Sequence, residues 1–150
     1  FNSSTIANDT IAFIYSDPSG PLWLGTYGGL SRFDPRSGKA VNFAMDDGLS
    51  SNVVWQIYPD EQGFLWLGTP NGLDRLEPRT NNIRNFNASN GLQLSTFNAR
   101  AITRSSSGEL LLGTGEGLLI FSPTKVKEEI RNAPLVFTGF ELANRPVPIG

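Results

Sequence analysis

Three groups of residues in this sequence could do chemistry. Adjacent carboxylates at Asp46-Asp47-Gly48, with Glu116 further on, could supply the carboxylate pair that cleaves a glycosidic bond. No calcium-loop spacing follows them, so a solvated turn is the simpler reading and no metal site is expected. The run Gly113-Thr114-Gly115-Glu116-Gly117 has the look of a phosphate cradle, but the Lys-Ser/Thr ending that would grip the phosphate is missing. Three indoles, Trp23, Trp55 and Trp66, offer flat faces on which a sugar could stack. The chain has neither cysteine nor histidine, which removes thiol nucleophiles, imidazole bases, zinc sites and histidine-ligated haem. No cofactor is expected.

The elements that must position these residues are legible as a repeat. Leu22-Trp23-Leu24-Gly25-Thr26 recurs 43 residues later as Leu65-Trp66-Leu67-Gly68-Thr69, and 45 residues after that as Leu110-Leu111-Leu112-Gly113-Thr114. Gly29-Leu30, Gly72-Leu73 and Gly117-Leu118 follow at a fixed distance, and Phe33-Asp34-Pro35, Leu76-Glu77-Pro78 and Phe121-Ser122-Pro123 follow those. Within one period, short runs rich in Val, Ile, Leu and Trp (52–58, 64–69, 73–76 and 83–86) alternate with Gly, Pro, Asn and Asp clusters. Four strands per period of ~40–50 residues is the pattern of a β-propeller blade, a four-stranded antiparallel meander. The expected fold is therefore all-β, a partial propeller of three four-stranded antiparallel blades, about 8–50, 51–95 and 96–123. A short helical linker over 124–133 follows, with Ser122 as N-cap and Pro123 in its first turn. A strand follows within 134–150, packed on the last blade or opening a further domain.

Composition narrows the partners. At 39% hydrophobic and 17% charged this is an ordinary globular chain, and a net charge of −2 lacks the basic footprint of a nucleic-acid binder. Its lysines, Lys39, Lys125 and Lys127, form no cluster that would hold an anionic membrane. Three blades are fewer than the four to eight of typical closed rings, so the open blade faces are expected to drive self-association.

Val54, Ile57, Asp60, Gly63, Leu65, Trp66, Gly68, Thr69, Gly72, Leu73, Arg75 and Pro78, led in by Gly48-Leu49-Ser50-Ser51-Asn52, resemble the two-component regulator propeller repeats. Residues 134–150 resemble the opening strands of the triple-tyrosine domain that follows such propellers. The third repeat departs from the pattern: Leu111 replaces the Trp, Ser105 the Asp, and Ile120 the Arg. The resemblance implies a periplasmic sensor region, non-catalytic in itself, that feeds a histidine kinase, hybrid regulator or diguanylate cyclase. It also implies oligosaccharides as a ligand class. A protein-interaction propeller, or a propeller piece of a polysaccharide-degrading enzyme, is the alternative.

The recurring Trp23 and Trp66 are expected between blades, and Asp17 and Asp60, six residues before them, in turns. Trp55 has no counterpart in the other repeats, where Ala12 and Arg100 stand, and so is a candidate for ligand contact on a channel-lining strand. In a meander the turn between strands two and three shares one rim with the connection between blades. That rim gathers the other candidate ligand residues: Tyr27 and Phe97 for stacking, and Asn52, Asn71, Asn98 and Glu116 for hydrogen bonds to hydroxyls.

Overall fold

The computed structural model describes residues 6–86, 97–115, 117–126, 140–142 and 145–147, with the side chains of 97–100 and of the last two segments left aside. Two antiparallel sheets of four strands run in simple meander order: β1 (Ile11–Ser16), β2 (Leu22–Thr26), β3 (Gly29–Asp34) and β4 (Lys39–Phe43), then β5 (Gln56–Pro59), β6 (Leu65–Thr69), β7 (Gly72–Glu77) and β8 (Asn82–Phe86). A third sheet places β9 (Phe97–Arg104), β10 (Leu110–Thr114) and β11 (Gly117–Phe121) in the same order. The counterpart of β4 and β8 in this third blade falls at 127–131, outside the described residues. Of the helix expected over 124–133, the described part is one 3-10 turn, Pro123–Lys125. The Ser122 hydroxyl lies 3.0 Å from Thr124 Oγ1 and makes no cap bond to the turn. Further on, β12 (Phe140–Leu142) and β13 (Arg145–Val147) pair as an antiparallel hairpin.

The repeat fixes this architecture for local reasons. Each Leu-x-Leu-Gly-Thr strand pairs with the Gly-Leu strand after it through a two-residue turn, Thr26 opposite Gly29 and Thr69 opposite Gly72. The threonine hydroxyl closes the turn by donating to the glycine carbonyl, at 2.8 Å from Thr26 to Gly29, 2.9 Å from Thr69 to Gly72 and 3.0 Å from Thr114 to Gly117. Those glycines have φ of 133°, 137° and 141°, a region that a side chain disfavours. A second glycine is demanded by contact: a Cβ at Gly25 would lie 2.6 Å from the Val54 carbonyl oxygen. The chain linking the blades therefore passes directly over β2, and Val54 N–H donates to Thr26 O at 2.9 Å.

β1 lies beside β5 and β5 beside β9, which puts the first strand of each blade on the inner side of the arc. Packing between blades always joins the same two faces. The trailing face of blade 1, with Trp23, Leu30 and Phe43, meets the leading face of blade 2, with Ile57, Leu65, Leu67 and Leu76. One blade on, Trp66 and Leu73 meet Leu110 and Leu112, joined by half-buried Ile102, Leu119 and Phe121. Trp23 and Trp66 are each 1% exposed, as their mid-strand recurrence predicts.

An edge-on contact places the Trp66 ring 4.9 Å from Phe121, while Phe86 sits 5.4 Å away. Arg75, buried in the same layer, holds its guanidinium 4.4 Å from the Phe64 ring and 5.8 Å from that of Trp66. Replacing Trp66 with Ala should cost about 3–5 kcal/mol, as truncations of buried Trp do. Leu111→Ala, at the matching half-buried position of blade 3, should cost clearly less. Thermal or urea unfolding of the two variants checks this ordering, and equal costs would contradict it.

Candidate functional site

The rim that carries the β2–β3 and β6–β7 turns is built on a polar lattice. Asp74, on β7, is fully buried, and its Oδ2 accepts from the Ser50 amide at 2.9 Å and the Ser50 hydroxyl at 3.0 Å. Its Oδ1 accepts from Asn85 Nδ2 at 2.8 Å, and that amide also donates to the Gly48 carbonyl at 2.9 Å. The Ser50 hydroxyl lies 2.8 Å from Thr69 Oγ1. One carboxylate thus ties the interblade connection to two strands of blade 2. In blade 1 the same position is Ser31, which accepts from the Ala7 amide at 2.9 Å and donates to Asn42 Oδ1 at 2.7 Å. Burial pushes the Asp74 carboxyl above its ordinary value, against the lowering effect of the Ser50 and Asn85 hydrogen bonds.

The candidate residues named from sequence divide by their surroundings. Tyr27 stands 53% exposed at the tip of the β2–β3 turn. Asn71 donates its Nδ2 to Ser50 O at 2.7 Å, and Asn52 Oδ1 accepts from Met45 N at 2.9 Å, so both amides hold the connection in place. Trp55 is half-buried and packs against the cluster between blades 2 and 3. Phe97 begins β9 with its backbone opposite Thr114, which sets it at the height of this rim with Asn98 next in the strand. Glu116 lies outside the described residues. The structure thus gathers Tyr27, Asn52 and Asn71 on one rim and sets Trp55 into packing.

Of the acidic pair, Asp47 Oδ2 accepts from the Ala44 amide at 2.9 Å in a 3-10 turn, Met45–Asp47. Among the described residues there is no group of three or more side chains suited to a metal ion.

The opposite rim is built by the turns that open each blade, and there the recurring aspartates are turn residues. Asp60 Oδ1 accepts from the amides of Gln62 and Phe64 at 2.9 and 3.0 Å, and its Oδ2 takes the Trp66 indole N–H at 2.8 Å. Asp17 repeats this with the Ser19 amide at 2.8 Å and the Trp23 indole at 3.3 Å. Partial burial works to raise the Asp17 carboxyl, but the bonds from Ser19 and Trp23 outweigh it and hold the group below its ordinary range. Near this end of blade 1 an open groove of about 480 Å³ is lined by Ser19, Pro21, Arg32, Asp34, Arg36 and Lys39. The sequence reading missed this groove, because its cations come from β3, the following turn and β4, and no single motif joins them.

Fold and site together define a β-propeller segment whose strands form the scaffold and whose turns carry the variable side chains. Residues 48–71 match the two component regulator propeller family and constitute such a repeat. Among solved structures the chain is similar to the extracellular domain of BT4673 from B. thetaiotaomicron, a protein assigned to the hybrid two component systems. Identity is 25% and the TM-score 0.69, over 79% of this chain and 17% of that one. The extracellular domain of BT3049 from the same organism, likewise assigned, shares the fold at 24% identity and a TM-score of 0.72, over 94% of this chain and 20% of that one. PorZ of Porphyromonas gingivalis, a surface component of the type-IX secretion system, shares the fold at 22% identity and 0.56, over 80% and 18%. The chain thus spans about a fifth of the length of these solved chains. No curated protein sequence matches it. No helix among the described residues is long and apolar enough to cross a membrane.

Asp74 yields a test with a definite sign. Its folded-state value is raised, so the neutral carboxyl is favoured in the fold, and its stabilising contribution is present at acid pH and lost as pH rises through that raised value. Compared with Asp74→Asn, which is neutral throughout, wild type should lose relative stability between acid and neutral pH. Paired melting curves at several pH values check this, and a difference that is constant, or that grows in favour of wild type with pH, would contradict it.

Proposed function

We propose that this chain is part of the periplasmic ligand-sensing propeller of a two-component type sensor, non-catalytic itself, with oligosaccharides as the ligand class. The observation that carries the reading is the likeness of its blades to an extracellular domain of the hybrid two component class, joined to a two component regulator propeller repeat in its own sequence. A sensor of this kind needs a rigid scaffold that presents variable turns, and these blades provide part of it: strand residues meet across buried layers, and the turn residues Tyr27-Gly28 of blade 1 give way to Pro70-Asn71 in blade 2.

In this reading the ligand lies on the rim of the β2–β3 and β6–β7 turns. Tyr27 supplies an apolar face for a sugar ring, and Asn52 and Asn71 act as positioning residues that hold the interblade connection beneath it. The output domain, whether kinase, hybrid regulator or cyclase, belongs to the longer protein that this reading implies.

The test is calorimetric titration of the purified chain with a panel of neutral and acidic oligosaccharides. Tyr27→Ala should weaken a detected ligand by about tenfold, equivalent to about 1.4 kcal/mol. Arg36→Ala, in the groove near the opposite rim, should leave affinity unchanged. The reverse pattern would move the site to that groove and overturn the rim assignment.

A further inference from the structure

We infer that the groove on the trailing side of blade 1 is a binding site for a small aromatic carboxylate, separate from the rim of the β2–β3 and β6–β7 turns. Two repeats compared position by position account for its shape. In blade 2 the face that carries Trp66 is closed by the Phe64 ring, which lies 4.4 Å from the Arg75 guanidinium and leaves Arg75 only 6% exposed. The counterparts in blade 1 are Pro21 and Arg32. The turn itself is the same, with Asp17 N–H donating to Pro21 O at 3.0 Å as Asp60 N–H does to Phe64 O at 2.9 Å. What differs is the side chains. Pro21 brings no ring, and Val41 stands where blade 2 has the longer Arg84, so the place that Phe64 fills is open in blade 1 as the groove of about 480 Å³. Arg32 is half-buried in its wall, 5.7 Å from the Trp23 ring, with Nη1 donating to Pro78 O of blade 2 at 3.4 Å. Trp23 and Arg32 thus belong to the face that blade 2 meets, and the groove is independent of what lies against the outer faces of blades 1 and 3.

Charge sets the rest of the ligand. The groove brings Arg32, Arg36 and Lys39 together with one carboxylate, Asp34, in a chain whose net charge is −2. That carboxylate is engaged by its own turn: Oδ1 accepts from the Arg36 amide at 2.9 Å and Oδ2 from the Ser37 hydroxyl at 2.7 Å. The cations keep a surplus, and Arg36 and Lys39 are exposed to meet an anion. A guanidinium accepts a flat π face, as Arg75 does that of Phe64, and exposed cations pair with a carboxylate. An aromatic ring on a short acid arm satisfies both demands at once, whereas a neutral sugar satisfies neither.

The test is titration of the purified chain with hydrocinnamate at millimolar concentration, followed by nuclear magnetic resonance. Saturable shifts should appear at the groove residues. Cyclohexylpropionate, with the same charge and no π face, and phenylpropanol, with the same ring and no charge, should each bind clearly more weakly. Lys39→Ala should weaken hydrocinnamate by about threefold, as the loss of an exposed ion pair does. Pro21→Phe supplies the ring of blade 2 from the chain itself, and its amide can use Asp17 Oδ1 as the Phe64 amide uses Asp60 Oδ1 at 3.0 Å, so this variant should fold and lose binding. If it does not fold, Val41→Trp, at an exposed position of β4, closes the same groove. Absence of saturable binding to wild type would overturn the proposal. So would equal binding of the saturated acid, or undiminished binding by the folded, groove-filled variant. None of these outcomes depends on whether an oligosaccharide binds at the rim.

Discussion

A four-stranded sheet has two apolar faces and no second layer of its own, so a blade acquires a core only by lying against another blade. Every other feature here follows from that constraint. The buried leucines of β6 alternate, with Leu65 and Leu67 turned to blade 1 and Trp66 between them turned to blade 3. One strand thereby serves two cores. The indole is suited to the second task because it fills the layer between blades 2 and 3 while its N–H reaches the Asp60 carboxylate at the end of the turn. The carboxylate has meanwhile satisfied two amides of the same turn, so the bond that orients the indole also sets the shape of the rim.

The third repeat shows that this arrangement acts as a unit. Where Leu111 replaces the Trp there is no indole N–H to accept, and the Asp is replaced by Ser105, whose hydroxyl oxygen accepts the Glu109 amide at 3.1 Å and lies 2.7 Å from Ser107 Oγ. The Arg that lies over the indole is replaced as well, by Ile120. The three changes, at positions 6 and 9 residues from one another in sequence, fall together where the indole is absent. The backbone of the turn is nevertheless kept, with Ser105 N–H donating to Glu109 O at 2.9 Å as Asp60 N–H does to Phe64 O.

The scaffold was legible in the sequence because its determinants lie close together and recur. Thr and Gly close a two-residue turn within four positions, Asp reaches Trp across six, and three copies of the first with two of the second make the period visible. The rim was less legible, for the opposite reason. Asn71 was read as a ligand residue on its type and turn position, but its partner, the Ser50 carbonyl, is 21 residues away. Trp55 stood out because no repeat matches it, yet a position without counterpart can also fill a gap in packing, and here it does lie against the interblade cluster. Asp74 was not singled out at all. Its counterparts are Ser31 and Leu119, and only in three dimensions does the position show itself as the clamp on the connection, where Asp74 and Ser31 each accept an incoming amide.

The passage of the connection over β2 has a mechanical meaning. With Val54 hydrogen-bonded to Thr26 and its carbonyl in the space a Gly25 side chain would occupy, the segment entering blade 2 is already part of the surface of blade 1. Blade 2 is therefore laced to blade 1 by a stretch of chain that must peel away from one before the other can unfold. In a linear array the balance between the stability of a unit and its coupling to the next decides whether units melt singly or together. Lacing weights that balance toward coupling, so a strain applied at the turns of blade 1 is passed to blade 2 by the backbone itself instead of being lost in a single loosened blade.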